Sequence, residues 1–323
     1  MYRYVGGRVV QAVAVLWAAY TLTFAILYLL PSDPMELQLA AAGLQQDALT
    51  PDQLAAMKHQ FGLDQPVWAQ YWHHLWAALH GDFGTSLSQQ LPVTELIGQR
   101  IGQTLLLSVS AAVVSLVAGS TLAYLATFAR WNPLRLVLTR LPALGASFPQ
   151  FLVALFLIQF FSFQLGWFPA TGTESASSLI MPVVTISVLA SSVLAQVLIK
   201  SFDETLSQAY ITTARAKGLS RSAVHLRHAF RNAALPAMTI LGVIVGLAVT
   251  SAIVVETVFS REGVGKLAQE AVLAQDVPVV LAIVTIAAAI FVFVNLVVDL
   301  LYPLLDPRIK HTGEKVSPEV VTL

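Results

Sequence analysis

Cysteine is absent from the chain, so disulfides, thiolate metal sites and cysteine nucleophiles are excluded together. Charge is scarce too. Asp, Glu, Lys and Arg make up 11% of the residues, less than half of the roughly 25% usual in soluble domains. The long apolar runs hold no histidine and no closely paired acids, which leaves an intramembrane enzyme without a nucleophile or a metal set. No internal repeat is visible, whereas a secondary transporter normally shows one together with ionisable residues at the membrane midplane. The formal net charge of zero hides an uneven distribution of basic residues and gives no sign of nucleic-acid binding, which usually shows as a basic domain.

What the chain has instead is hydrophobicity: 56% of its 323 residues are apolar and the mean hydropathy is +0.72. About 20 consecutive apolar residues are needed for a helix to cross the hydrocarbon core. Six such runs are predicted, near Val9 to Leu30, Thr104 to Phe128, Leu141 to Leu165, Leu179 to Ile199, Pro236 to Val258 and Val279 to Leu301. Continuous apolar runs fit helices rather than the alternating ten-residue strands of a barrel. The expected fold class is therefore all-α, a polytopic membrane protein with six transmembrane helices. Its expected parts are an N-terminal segment and first span (1–30), an extracytoplasmic region with amphipathic helices (31–103) and a core of five spans (104–323). Pro149 and Pro182 are expected to kink their helices.

Basic residues are retained on the cytoplasmic side of a membrane. With the N-terminus inside, all but four of the 18 basic residues fall in cytoplasmic segments; Lys58, Arg100, Arg261 and Lys266 are the exceptions. Both termini are thus expected in the cytoplasm. The first run is longer than a signal-peptide core and no small-residue cleavage site comes after it before Pro31, so an uncleaved anchor is expected.

The outer segment from Pro31 to Arg100 is too long for a simple turn. Thr50, Pro51, Asp52 and Gln53 form a helix start with an N-cap hydroxyl and Pro at the first position, leading to a helix that stops near Gly62. A second helix is predicted after Pro66, with Trp68, Tyr71, Trp72, Leu75 and Trp76 on one face. Such a helix suits the outer membrane interface, or alternatively a vestibule where a soluble binding protein lands. His59, His73, His74 and His80 lie in the same region, but adjacent His73 and His74 point about 100° apart on a helix, which favours surface histidines over a metal site.

Between the fourth and fifth runs lies a basic, polar island, Tyr210 to Pro236. It reads as two short helices around a break: one led by Asp203 and Glu204 and ended at Gly218, where glycine supplies the left-handed conformation, and one capped by Ser220. The island is either a docking surface for a soluble partner or a loop that satisfies the positive-inside rule against anionic lipid. Polar residues inside the runs are functional candidates because burying them is costly: Glu256, Gln150, Gln196, Asn295 and Asp299, with Gln159 beside them. Glu256 is open between a structural and a pore-side or gating role, and Asp299 sits close enough to the inner end to pair with a basic residue. The sequence Gly263, Val264, Gly265, Lys266 is no phosphate loop, because Ser260 stands where the first glycine is needed and Leu267 replaces the magnesium-binding Ser or Thr.

Thr213, Ala214, Arg215, Ala216, Lys217, Gly218, Leu219 and Ser220 resemble the EAA loop of the membrane subunits of ATP-binding cassette (ABC) importers, in the form typical of the dipeptide, oligopeptide and nickel permease family. Further landmarks appear in order: FGLDQP at 61–66, HGDFGTS at 80–86, SFPQF at 147–151, LGWFPATG at 165–172, ETVFSREGVGKL at 256–267, DVPVV at 276–280 and LLDPRI at 304–309. Thr212 stands where the general motif begins with Glu, Leu235-Pro236 is displaced from the expected Leu-Pro position at Phe230-Arg231, and Arg261-Glu262 replaces a common Pro.

The resemblance implies a type I ABC importer permease in a bacterial inner membrane, itself no enzyme. It would form half of a pathway for di- or oligopeptides, or for nickel or a metal–metallophore complex, received from an extracytoplasmic binding protein. It implies a second homologous permease subunit and two ATPase subunits that bind ATP and magnesium, with no cofactor or metal in this chain. The segment 203–235 would couple to the ATPases through Thr212, Thr213, Ala214, Arg215, Ala216, Lys217, Gly218, Leu219, Ser220 and Arg221, with Ala214 and Gly218 permitting close approach.

Overall fold

A 36-residue helix, Val93–Phe128, and a 27-residue helix, Ile180–Leu206, form the spine of the protein, and the residues where they touch explain why they pair. On the first, Ala111, Ser115, Gly119, Ala123 and Thr127 recur every fourth residue and are all buried. In lipid there is little hydrophobic force between helices, so small residues that allow close backbone approach select the interface. Gly119 shows how close: a Cβ added there would stand 2.8 Å from the Ser191 carbonyl oxygen. The hydroxyls of this stripe are satisfied locally, Ser115 donating to Ala111 O and Thr127 to Ala123 O, while Ser187 of the facing helix donates to Ala111 O at 3.1 Å.

The computed structural model describes residues 2–29 and 65–305. In chain order the helices are α1 (Tyr2–Leu29), α2 (Val67–Leu79), α3 (Val93–Phe128), α4 (Asn132–Ser147), α5 (Gln150–Leu157, continued by a π-helical Ile158–Gln164), α6 (Ile180–Leu206), α7 (Ala209–Ala216), α8 (Phe230–Val258), α9 (Val264–Leu273) and α10 (Val277–Leu305). The fold is all-α, as expected. Among the described residues, four helical stretches are long and apolar enough to cross a bilayer, in α1, α3, 176–206 and α10. The pair α4 and α5 supplies a fifth if counted as one span, and α8, at 29 residues, covers the remaining expected run.

The elements depart from the sequence reading at several points, each with a local cause. The third run is not one kinked span: α4 and α5 meet at 99° across Phe148 and Pro149, since proline disfavours helical backbone in the residue before it. Pro182 produces no kink, because it lies in the first turn of α6, where no hydrogen bond to its nitrogen is required. α3 starts eleven residues before the predicted run, and at about 1.5 Å per residue it is longer than a hydrocarbon core is thick; its N-terminal end buries Val93, Leu96 and Ile97 against Leu267, Ala271, Val279, Ala282 and Ile283 of α9 and α10. Two further clusters stack along the bundle: Leu107, Ala154, Ile186, Ala252 and Phe259 towards the α9 end, and Ala126, Leu194, Leu198, Phe202 and Ala229 towards α7.

In α2 the aromatic residues divide between two faces. Tyr71, Leu75 and Ala78 pack on Tyr20 and Phe24 of α1, with Tyr71 hydroxyl 2.8 Å from Thr21 Oγ1, whereas Trp68, Trp72 and Trp76, four residues apart, are exposed. The helix predicted from Thr50 to Gly62, His59, most of FGLDQP and most of LLDPRI lie outside the described residues.

Candidate functional site

The basic island is built as a knob on the end of the bundle opposite α9. α7 begins at Ala209 with Gln208 as N-cap. Asp203 and Glu204 therefore do not lead this helix; they close α6, where Asp203 pairs with Arg135 at 3.3 Å. The break falls at Gly218, as the sequence indicates, with φ +79°, and the turn closes through Lys217 N to Thr213 O and Gly218 N to Arg215 O, both 3.0 Å. Ser220 caps the next helical turn, its Oγ accepting from Ala223 N. The second short helix is not separate: Arg221–Ala223 passes through a π-helical stretch, Val224–Ala229, directly into α8. The backbone of the knob therefore runs into a membrane helix without a break.

Exposure sorts the expected contact residues. Thr212, Thr213, Arg215, Ala216, Lys217, Gly218, Leu219 and Ser220 face solvent. Ala214 does not; it is buried with Ile211 and Val224 under the knob, so its small side chain serves packing within the chain. Arg221 is also turned inward, its guanidinium 5.0 Å from the Phe128 ring centroid and donating to Thr127 O at 3.4 Å. Burial, then repulsion from Arg130, Arg215 and Arg135, lowers its pKa, which marks a convergence of four arginines on this end.

Beneath Arg221 lies His225, 1% exposed, in a box of Tyr124, Phe128 and Phe202. Its Nδ1 is 3.1 Å from Arg221 O. Burial holds its pKa below the ordinary imidazole value, opposed by the Arg221 and Thr127 carbonyls and reinforced by the Arg221 and Arg215 charges. This box joins the knob to α3 and α6, and nothing in the spacing of the sequence identifies it.

The opposite end is a clasp in which sequence landmarks meet. Glu256, wholly buried at the end of α8, accepts from Gly265 N at 2.7 Å through Oε2. The Glu256 carboxyl group thus sits at the positive N-terminus of α9, and the Gly-Val-Gly-Lys stretch donates to a side chain of its own chain. Gly265 must lack a Cβ, since one would stand 2.4 Å from the Ile253 Cα. Arg261, 2% exposed, donates through Nη1 to Gly172 O (3.3 Å), Ser178 O (3.1 Å) and Ser178 Oγ (3.3 Å), and through Nη2 to Gln103 Oε1 (3.2 Å). Burial lowers its pKa and Glu256 partly restores it. Asp276, also wholly buried, accepts through Oδ2 from Ser86 Oγ (2.5 Å), Ser88 Oγ (2.8 Å) and Ser88 N (3.0 Å). On the surface Arg100 pairs with Glu270 at 2.8 Å and Lys266 with Glu262, whose pKa is lowered chiefly by that lysine.

The pathway candidates are not brought together. Glu256 is buried in the clasp, at the N-terminus of α9. Gln150 starts α5 at the 99° break, and Gln196 lies 3.4 Å from Pro142 O, between α6 and α4. Asn295 donates to Phe291 O and borders a cleft between α1 and α10. Asp299 belongs to α10, but its side chain lies outside the described residues. His80 approaches Trp76 O at 2.8 Å, and His73 and His74 stack edge to face; burial, then His73, lowers the His74 pKa. Among the described residues no three His, Cys, Asp or Glu side chains converge on a metal position.

A bundle of helices long and apolar enough to cross a bilayer, carrying a solvent-exposed basic knob at one end and a polar clasp at the other, defines a multi-pass membrane protein. The chain belongs to the binding-protein-dependent transport system inner membrane component family, matched over residues 90–311, and its first 110 residues match the N-terminal membrane component family of the same systems. It is 38% identical over 313 residues to the glutathione transport system permease protein GsiC of Salmonella typhimurium, covering 96% of this chain and all of that protein, and 36% identical over the same length to GsiC of Escherichia coli strain K12. A crystal structure of an amino acid ABC transporter with histidines superposes with a TM-score of 0.50 at 18% identity, covering 67% of this chain and 94% of that one, which concerns the fold alone. The protein is therefore the permease subunit of an ABC importer with the type I fold, multi-pass in the inner membrane. It is not an enzyme, and works with an ATPase and a substrate-binding protein.

Proposed function

We propose that this permease forms half of the translocation pathway for short peptides of the glutathione class, delivered by an extracytoplasmic binding protein. The observation that carries the substrate class is the 38% identity along the full length of a glutathione permease. The other half of the pathway is a second, homologous permease chain, and two ATPase subunits bind the ATP and magnesium. The knob at 207–229 is the coupling element: Thr212, Thr213, Arg215, Ala216, Lys217, Gly218, Leu219 and Ser220 meet the ATPase, while Ala214, Arg221 and His225 hold the knob to the bundle. Its continuity with α8 supports this reading, because coupling needs an element whose position both sites bias. Both termini lie in the cytoplasm, and the clasp faces the binding protein.

Reconstitution of the chain with its partner permease, ATPases and binding protein in vesicles tests the proposal. ATP-dependent uptake of glutathione or a short peptide is expected. Uptake without the ATPases, uptake driven by an ion gradient, or transport confined to free nickel would refute it.

A further inference from the structure

Helix α2 carries three tryptophans, Trp68, Trp72 and Trp76, which are 69%, 59% and 68% exposed and take no part in the knob or the clasp. Spaced by four, they form one stripe along the helix. The adjoining face is spent on the bundle: Tyr71, Leu75 and Ala78 pack on Tyr20 and Phe24 of α1 and on Leu281 of α10, and the Tyr71 hydroxyl meets Thr21 Oγ1. Those contacts fix the level of α2 relative to the membrane. Tyr20 and Phe24 belong to the apolar stretch Gly6–Leu27, within about 10 Å of its end at Leu27, and Leu281 lies about 6 Å into the stretch that begins at Val277. Leu22 and Ile26, on the same turns of α1, are exposed, so the lipid-facing side of that span reaches the level of the tryptophans.

A stripe held at that level is surrounded by the boundary between acyl chains and headgroups. Indoles favour this boundary, offering an apolar body to the chains and an N–H to the wet side. An interfacial helix sinks its apolar face by roughly 5–10 Å, the depth at which α2 leans on α1. Because α2 has no Asp, Glu, Lys or Arg, no charge on it selects a headgroup of one sign or steers a soluble protein towards it. A soluble partner that docks and leaves would also strand three indoles in water between visits. We propose that α2 is a membrane-surface anchor, its Trp68, Trp72 and Trp76 side chains embedded in the bilayer boundary at the α9 end of the bundle. Through Tyr71 and Leu75 it braces the junction of α1 with α10 from the lipid side. That this boundary is the extracytoplasmic one rests on the topology of the proposed function; the anchoring itself does not.

The chain has no native cysteine, so nitroxide labels can be placed one at a time in the assembled transporter, with cysteine-free partner subunits, in phosphatidylcholine nanodiscs. Collision with molecular oxygen reports acyl surroundings, and collision with a water-soluble nickel chelate reports water. Labels at Trp68→Cys, Trp72→Cys and Trp76→Cys are expected to favour oxygen over nickel severalfold more than a label at His73→Cys, which is exposed and about 100° round the helix from Trp72. Should a tryptophan variant fail to assemble, Leu79→Cys, exposed and two turns beyond Trp72 on the same side, keeps all three indoles and gives the same reading. Equal ratios at the stripe and at His73 overturn the proposal. So does shielding of the stripe from both reagents, which would mean a protein cover such as the partner permease or residues 30–64. Nickel access that disappears when the binding protein is added overturns it too, and would make the stripe a landing surface. In sealed vesicles, an impermeant maleimide on His73→Cys reports the side of the membrane separately. Labelling from the ATPase side alone, with the oxygen preference intact, refutes the topology and leaves the anchor standing.

Discussion

Replacing Gly218 isolates backbone conformation from contact. The residue has φ +79° and a Cβ added to it meets nothing within 4 Å in this chain, so within the isolated permease the only penalty is the left-handed backbone. For an L-residue with a Cβ that is about 1–2 kcal/mol, and a β-branched residue lies at the upper end of the roughly 1–3 kcal/mol range for strained positions. The strain falls on a turn held by a few local bonds, so it shifts the population of correctly shaped knobs by roughly 5- to 30-fold without unfolding the bundle. In reconstituted vesicles, Gly218→Ala and Gly218→Val should lower transport per ATP hydrolysed, Val the more, while the binding protein's affinity for substrate stays the same. Gly218→Asn, which tolerates this conformation, should be close to wild type. Wild-type coupling in Gly218→Val would refute the role of the turn. Failure of Gly218→Asn as severe as that of Val would show that the ATPase requires empty space at this position and that conformation is secondary.

Three other outcomes are expected from the geometry. The His225 imidazole is held neutral by its aromatic box, so the unfolded chain takes up the proton first as pH falls below about 6.5; thermal stability in detergent should fall between pH 7 and 5.5 more steeply for wild type than for His225→Phe, and parallel curves would contradict the assignment. Arg261→Leu removes four hydrogen bonds made by two guanidinium nitrogens, two of them to buried Ser178, and should cost about 3 kcal/mol, read as a lower Tm of the purified protein; Arg261→Lys should not restore it, because an ammonium lacks the two-pronged reach to Ser178 and Gln103. Gly119→Leu inserts side chain where there is no room even for a Cβ and should destabilise by about 1–3 kcal/mol or more, reducing the amount of folded protein in the membrane, whereas Leu106→Ala on the exposed face of α3 should change little.

The knob illustrates how far sequence reasoning reaches. Ser220 as cap and Gly218 as break are decided by hydroxyl and φ preferences of single residues, and both stand as read. Asp203 and Glu204 mislead, because a helix-start signal is relative to where the previous helix ends, and α6 runs on to Leu206. Ala214 and Arg221 read as contacts for a partner because the text of a motif does not say which face of a short helix is turned inward. The clasp was present as separate landmarks, and only folding brings Asp276 onto Ser86, 190 positions away, and Arg261 onto Ser178, 83 away.

By itself the sequence determined the class of solvent and the helical state of the spans, because each of these depends on sums over local composition: transfer free energy and backbone satisfaction in lipid. Tertiary structure alone decided which polar residues are structural. Glu256 and Arg261 are expensive to bury one at a time, and only the arrangement of α8, α9 and the 172–178 loop around them supplies the donors and acceptors that make the burial tolerable. It also decided where the helices touch, since a stripe of small residues is visible in sequence but its partner face is not.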